Sequence, residues 1–516
     1  MSNKIDTGLD NKRVIINIFF SVVVFGVNMF ISFFITPYIT SNLGSDAYGF
    51  VKLANDFTNY ASLFSLALNS MASRFIMLKR EQHDLENARK YYSSITIANI
   101  ILAALMMIPS IICVTLLDSF LDIPLHMLFE VRLTFALTFA NFLISLAFST
   151  FGNCYYLTNR LDINSLLTAV TNILKVAAII GLFFIFGPKI SFMGWGALLC
   201  SAIYIPCNIY FHKKLTPDLG IKIRYFDLRK IREVLSSGIW NSITKLSQIF
   251  SSGLDLLVTN IFLGAQDMGY LSLAKTVPNM MVSLNSTIAN AFSPNMMMLY
   301  AKGDMERLKR ATKSSMKFMC LFVTIPNAIL VTMGTEFFTL WVPDQPARLI
   351  NILSILTVVN SCITGPLQPL YQIFTITNKI RQSSIVTIIY GFSSIVVTFV
   401  CLNTTGLGLY AVAGVSLIGS LIVALGYHLP FSAIYLGMPW YTFFPEIGKS
   451  IISFLVQCLI GTGVNIFLNL ESSWVVWFSG AILSALIGLL INIILILNKE
   501  ERTVLFGKFL KKYKRI

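Results

Sequence analysis

The chain has 516 residues, of which 55% are hydrophobic and only 12% are charged, whereas a soluble domain is typically about 45–50% apolar and about 25% charged. This composition excludes a soluble globular protein, and the apolar residues suffice for on the order of a dozen membrane helices of about 20 residues each. The net charge of +15 would suggest a nucleic-acid partner in a soluble protein, but the positive-inside rule accounts for it in a membrane protein. The sequence therefore predicts a polytopic membrane protein without a nucleic-acid partner.

Apolar runs separated by turn or charge signals predict about fourteen membrane spans. In chain order they cover residues 14–40, 48–78, 92–117, 127–157, 161–186, 192–211, 234–262, 269–300, 314–334, 348–376, 382–402, 407–436, 446–469 and 473–497. The first run follows a polar N-terminus without a small-residue cleavage site, so we expect it to be retained as a helix.

Cationic residues concentrate in alternate loops between these spans. One side of the membrane receives the N-terminus, residues 79–90, 213–232 and 302–317, and the C-terminal tail, whereas the other side receives only Lys189 and Arg348. Because loops rich in Lys and Arg remain in the cytoplasm, we expect a multi-pass protein of the cell inner (plasma) membrane with both termini cytoplasmic.

Two segments of the first half recur in the second half. Residues 43–54 read LGSDAYGFVKLA and residues 263–274 read LGAQDMGYLSLA, an offset of 220, and residues 157–168 (LTNRLDINSLLT) match residues 376–387 (ITNKIRQSSIVT) at an offset of 219. An even number of spans separates each segment from its mate, so the halves have the same orientation, as in parallel transporter repeats. The prediction is an all-α fold with an N-lobe (1–212), a basic cytoplasmic linker (213–232), a C-lobe (233–436), a two-helix hairpin (437–498) and a basic cytoplasmic tail (499–516).

A polar stripe runs along the seventh span. Its members follow one another in steps of three or four residues, the spacing of one helical face: Asn241, Lys245, Gln248, Ser252, Asp255 and Thr259. We expect this face to line a water-accessible passage, together with Asn28 on the first span. The alternative is hydrogen bonding between helices that only holds the bundle together.

Other ionisable residues also fall inside spans, where a charge is costly unless it faces a wet cavity or a partner. Lys175 is predicted to face a cavity, with a carbonyl-capped or snorkelling lysine as the alternative. Lys52 and Asp56 are four residues apart and could pair with each other. Lys275 lies close to the repeat equivalent of Lys52, and Arg74 lies near the cytoplasmic end of its span, where an interfacial anchor is the ordinary explanation.

Signals for catalysis or for a bound metal are absent from the sequence. The eight cysteines form no CxxC pair, and the four histidines show no metal-ligand spacing. The IGKS stretch at residues 447–450 lacks the glycine that a nucleotide-binding loop requires. We therefore expect no catalytic residue, no metal and no cofactor. Transport could be coupled to a proton or sodium gradient, and Asp56 and Asp255 are the candidates for binding the coupling ion.

With fourteen spans, two parallel lobes and the LG(S/A)xxxG(F/Y)xxLA turn of each lobe, the chain resembles the polysaccharide and O-antigen repeat-unit flippases, the Wzx type, of the multidrug, oligosaccharidyl-lipid and polysaccharide (MOP) exporter superfamily. This resemblance implies a MATE-like pair of lobes around a cationic cavity. It also implies alternating access and transport of undecaprenyl-pyrophosphate-linked oligosaccharides for O-antigen, capsule or exopolysaccharide synthesis. The implied cavity cations are Lys52, Lys175, Lys245 and Lys275, with Arg74 near the cytoplasmic entrance.

The resemblance further implies membrane lipids, a polysaccharide polymerase and chain-length machinery as partners, and a lipid-tail groove beside the two C-terminal spans. Two rivals remain. A multidrug exporter of the same superfamily usually has twelve spans and acidic groups for cationic drugs, whereas the cations here outnumber the acids. A polymerase or a membrane glycosyltransferase would need a large external loop, and the longest one here is residues 335–347.

Overall fold

The structure of the chain, a computed structural model, describes residues 7–158, 160–290, 292–377, 379–468, 473–498 and 502, without the side chains of residues 7–23, 25, 252, 294, 295 and 301. Every regular element within these ranges is helical, so the all-α prediction is confirmed. The predicted tail at 499–516 lies outside the described residues apart from residue 502.

Fourteen long helices follow one another in the described part of the chain. They are α1 (Thr7–Leu43), α2 (Ser45–Glu81), α3 (Leu85–Thr115), α4 (Leu128–Ala147), α5 (Leu161–Phe186), α6 (Ser191–Leu215), α7 (Leu228–Leu263), α8 (Ala265–Asn290), α9 (Met305–Trp341), α10 (Ala347–Ile376), α11 (Ile380–Thr404), α12 (Leu409–Tyr435), α13 (Phe444–Phe467) and α14 (Trp474–Ile496). A π-helical turn interrupts α7 at Ile249–Gly253 and another interrupts α12 at Ala424–His428.

Twelve of these helices, all except α1 and α8, are long and apolar enough to cross a membrane, as judged on the described residues. The predicted polytopic membrane protein is therefore confirmed, and the count of fourteen spans is approximate. About half of the side chains of α1 lie outside the described set, and α8 carries polar residues along much of its length.

Turn geometry repeats at the offset that the sequence predicts. Gly44 joins α1 to α2 with φ +92°, and Gly264 joins α7 to α8 with φ +97°, a backbone conformation that favours glycine. Asp84 caps α3 by accepting a hydrogen bond from a backbone N–H three residues on, and Asp304 caps α9 in the same way. Both pairs are separated by 220 residues, so corresponding loops of the two halves share one backbone design.

The second glycine of each repeated turn allows two helices to approach closely. A Cβ atom on Gly49 would come within 3.1 Å of the Cα atom of Gly269, and a Cβ atom on Gly269 would come within 2.5 Å of the carbonyl carbon of Ser45. The second distance is too short for a methyl group and the first is tighter than most carbon contacts, so the beginnings of α2 and α8 pack closely through their backbones.

The chain forms two compact units. The first comprises Met1–Ile249 and Leu256–Gly269, and the second comprises Phe250–Asp255 and Tyr270–Ile516. The predicted lobe boundaries around the linker at 213–232 stay a prediction. Within the first unit, α7 packs on α2 at Gly238, where a Cβ atom would collide with the backbone of Ala67.

In the second unit, the helices α13 and α14 pack on α9 through a buried polar network. The fully buried Asn492 accepts hydrogen bonds from Ser453 and Gln457 of α13, and it donates to Thr324 at 2.9 Å and to the Leu321 carbonyl at 3.2 Å on α9. Because these bonds join three helices, they fix the C-terminal hairpin against α9.

Candidate functional site

Two cationic side chains inside the first unit influence each other through their charges. Lys52 projects from α2 with its ammonium group 5.2 Å from the ring centre of Tyr48, a distance within the range of a cation–π contact. Lys175 projects from α5, and the two ammonium groups are close enough to repel each other. We call Lys52 and Lys175, with the polar residues around them, the first-unit cation site.

The charges of this site are only partly compensated. Asp56 lies one turn along α2 and attracts Lys52. This agrees with the alternative that these two residues, four positions apart, pair with each other. Lys175 has no carboxylate within ion-pair distance in the described part of the chain. It packs against α6 at Gly196, where a Cβ atom would come within 3.4 Å of the Lys175 Cγ atom. The first unit therefore holds more positive than negative charge at this place.

Polar amides extend the site towards α1. Asn172 lies one turn before Lys175 on α5 and donates a 2.8 Å hydrogen bond to the Oδ1 atom of Asn28. The pattern singled out Asn28 and missed Asn172, although its position three residues before Lys175 places it on the same face of the helix. The first unit thus brings amide and ammonium groups together on α1, α2 and α5.

The polar stripe of α7 begins at a contact with α2. Asn241 donates a 3.0 Å hydrogen bond to the hydroxyl group of Ser70, and the neighbouring Ser242 donates to the Leu63 carbonyl at 2.9 Å. At this end of the stripe, the polar residues therefore hold α7 and α2 together by hydrogen bonds, which was the alternative to a cavity lining. The predicted role of the stripe as a cavity lining stays a prediction.

Further along the stripe the environment changes. Lys245 is half-buried and has no ion-pair partner among the described residues, and Gln248 is exposed. The side chain of Ser252 lies outside the described set, in the π-helical turn that precedes Asp255. Lys245 is therefore a second uncompensated cation of the first unit.

In the second unit, Asp255 and Lys275 form a tight ion pair. The Lys275 Nζ atom donates to the Asp255 Oδ2 atom at 2.5 Å, and the two side chains are only 16% and 15% exposed. Ser416 of α12 donates to the other carboxylate oxygen at 3.4 Å. The pair neutralises the charge of both residues, so Lys275 is not a free cation in this arrangement.

The sequence contained a signal for this pair. Asp255 precedes the turn at Gly264 by nine residues, and Lys275 follows it by eleven. Two antiparallel helices that meet at a tight turn place such positions at nearly the same depth. Arg74, the remaining predicted cation, is exposed on α2 and has no ion-pair partner within the described ranges. Its predicted roles, at the entrance of the cavity or as an interfacial anchor, stay predictions.

A family model described as "Polysaccharide biosynthesis protein" matches residues 14–300 of the chain. An uncharacterized membrane protein of Bacillus subtilis (strain 168), EpsK, is 28% identical over 410 residues, which cover 80% of each chain.

Solved structures of similar shape include "Lipid II flippase MurJ, inward closed conformation", with a TM-score of 0.67 and 14% identity over 96% of this chain and all of the other. An inward-facing multidrug resistance MATE family transporter of the MOP superfamily has a TM-score of 0.64 and 15% identity, over 80% of this chain and 94% of the other. These likenesses confirm the predicted MATE-like fold.

Proposed function

Because the chain belongs to the polysaccharide biosynthesis protein family, we propose that it is a flippase for undecaprenyl-pyrophosphate-linked oligosaccharide repeat units. It moves them across the cytoplasmic membrane by alternating access, for the synthesis of O-antigen, capsule or exopolysaccharide. The translocation changes no covalent bond, so the protein needs no catalytic residue.

The observation that carries this proposal is the excess positive charge of the first-unit cation site. An ammonium group without an ion-pair partner costs about 2.5–3.5 kcal/mol at the centre of a membrane helix on insertion scales, and a purely structural role would not repay it. The half-buried Lys175 is such a group among the described residues. A pyrophosphate group supplies the missing negative charge and accepts hydrogen bonds from two ammonium groups at once. We propose that Lys52 and Lys175 bind it and that Lys245 supplies a further cation.

Neutral polar groups beside the cations suit the sugar part of the substrate. Asn28 and Asn172 present amide donors and acceptors. Binding sites fix the orientation of polar ligands through a small number of such hydrogen-bonding groups. We propose that the repeat unit lies along these residues while the pyrophosphate contacts the lysines.

Coupling to an ion gradient is proposed for the carboxylates. Asp255 already holds a cationic group, the Lys275 ammonium, at 2.5 Å. When an anionic substrate attracts Lys275, the Asp255 carboxylate becomes available to a proton or a sodium ion. Asp56 is the corresponding candidate near Lys52.

We propose a location in the cytoplasmic membrane with both termini in the cytoplasm, on the basis of the cationic loops. A polysaccharide polymerase and chain-length machinery would use the flipped product on the other side. The helices α13 and α14, which pack on α9, are proposed to lie beside the path of the lipid tail.

The test is reconstitution into liposomes with a labelled undecaprenyl-pyrophosphate oligosaccharide, in which an impermeant glycosidase reports the substrate that reaches the outer leaflet. We expect transfer by the intact protein and at least a tenfold loss for Lys175→Gln and Lys52→Gln. Lys245→Gln tests the third cation. Lys302→Gln, at an exposed lysine, is the matched control and should transfer normally.

The same vesicles distinguish the rival function. Efflux of a cationic dye, without transfer of any anionic lipid-linked sugar, would make the protein a multidrug exporter. Normal transfer by both Lys52→Gln and Lys175→Gln would instead leave the flippase standing and remove the first-unit cation site from its mechanism.

A further inference from the structure

The linker between α6 and α7 is bound to the C-terminal end of α2 and to the N-terminal part of α3. Asp218 accepts two hydrogen bonds from the Arg80 guanidinium, at 2.9 and 3.2 Å, and its carbonyl accepts one from Arg89 at 2.8 Å. The adjacent Leu219 is buried. The path of the linker backbone is therefore fixed at its beginning.

Two serines of α3 fix the rest of the linker. The Ser93 hydroxyl donates to the Gly220 carbonyl and accepts from the N–H of Lys222, at 3.2 and 3.3 Å. The Ser94 hydroxyl accepts from the N–H of Asp227 at 2.8 Å. A segment held by this many backbone contacts cannot turn its side chains inward to hide them.

This fixed segment nevertheless exposes large apolar side chains. Ile223 is 85% exposed and Leu228 is 70% exposed, and Ile221 and Phe226 are also exposed. Exposed cations alternate with them, namely Lys222, Arg224, Arg229 and Arg232. Apolar side chains that are held outward among basic ones are typical of segments lying in the headgroup region of a membrane.

The apolar edge continues along an exposed face of a candidate membrane span, α7. Leu228 is the first residue of α7, and Leu235 and Ile239, seven and eleven residues later, lie on the same helical face and are exposed as well. Residues 213–232 carry seven cationic and two anionic residues. A surface that is continuous with the span and strongly basic complements an anionic bilayer surface better than a separate protein.

We propose that residues 221–232 form a binding surface for anionic phospholipids, with Ile223 and Leu228 inserted among the acyl chains and the four cations on the headgroups. Each basic residue near an anionic leaflet gains attraction from its surface potential. Because α2, α3 and the linker are bound to one another, this surface ties the first unit to the cytoplasmic leaflet. The proposal concerns lipid contact and does not depend on the transported substrate.

The test uses tryptophan fluorescence and lipids whose acyl chains are brominated and quench nearby tryptophan. The full-length Ile223→Trp variant is reconstituted into vesicles made of equal parts phosphatidylglycerol and brominated phosphatidylcholine. Gln82→Trp, at an exposed position of the loop between α2 and α3, is the matched control. The signal of the native tryptophans, measured with the unmodified protein, is subtracted from both.

We expect quenching at position 223 to exceed that at position 82 by about twofold or more. We also expect the excess to shrink when Lys222 and Arg224 are both changed to Gln, or when phosphatidylglycerol is left out. Equal quenching at positions 223 and 82 would overturn the proposal and favour a protein partner in the aqueous phase. Equal quenching with and without phosphatidylglycerol would overturn the assignment of the basic residues to anionic headgroups.

Discussion

The ion pair between Asp255 and Lys275 gives the sharpest prediction of stability. Removing one partner of a buried pair leaves an uncompensated charge and costs about 3–5 kcal/mol in soluble proteins. The two side chains here are 16% and 15% exposed, so water screens part of that charge. We therefore expect Lys275→Met to lower the free energy of unfolding by about 2–4 kcal/mol. Asp255→Asn should cost less, because the amide still accepts a hydrogen bond from Ser416.

The double variant Asp255→Asn/Lys275→Met should recover most of the loss, since neither charge is then left alone. A double-mutant cycle on the purified protein, measured by denaturant unfolding in detergent, gives the coupling free energy, which we expect at about 2–4 kcal/mol. Lys245→Met is the matched control. This lysine of the same helix has no ion-pair partner among the described residues, so its removal should leave stability unchanged or raise it.

The same variants separate structure from transport. If the double variant regains stability but not substrate transfer, Lys275 also acts on the substrate or on coupling. If both recover together, Lys275 serves only to hold Asp255. Additive losses in the cycle, with no recovery in the double variant, would refute the reasoning, because two groups that neutralise each other cannot contribute independently.

Three further predictions concern packing. Gly238→Ala should destabilise the protein by about 1–3 kcal/mol, because its methyl group meets the backbone of α2. Gly181→Ala, at a helical glycine with open space around it, is the control and should not destabilise it. Equal unfolding curves of the two variants would contradict this contact. Asn492→Leu should lower the free energy of unfolding by about 1–3 kcal/mol, because its interhelical hydrogen bonds are lost. Leu490→Ala, on the exposed side of the same helix, should lower it less. The reverse order would argue against the network. Asp218→Asn should speed proteolysis of the linker in detergent, since two guanidinium bonds are weakened, and an unchanged cleavage rate would show that the hydroxyl contacts of α3 suffice.

Much of the candidate site could be found from the sequence, because an ionisable residue in an apolar run is conspicuous wherever it lies. Lys52 and Lys175 were singled out in this way. That they share one site could not be found, because they lie on α2 and α5, more than 120 residues apart, and only the packing of these helices brings them together. Asn172 was missed because an amide in a span is common and carries no charge to mark it.

The α7 stripe shows the opposite case. Helical periodicity correctly places Asn241 and Lys245 on one face, but periodicity does not say what the face meets. The structure gives Asn241 a partner, Ser70, on α2, and leaves Lys245 without an ion pair among the described residues. The same stripe thus contains one residue that is bonded to α2 and one that has no ion-pair partner. The difference depends on how far α2 stays in contact with α7.

By itself, the sequence determined the class of protein, the approximate spans and the internal repeat, because hydropathy over some twenty residues and the turn chemistry of glycine are local properties. Only the tertiary structure decided which charges are neutralised, as in Asp255 with Lys275, and which remain, as in Lys175. It also decided that the linker is bound to α2 and α3 with Ile223 turned outward. The physical reason is the same in each case: a side chain's free energy depends on the partner that packing places beside it, and that partner is usually distant along the chain.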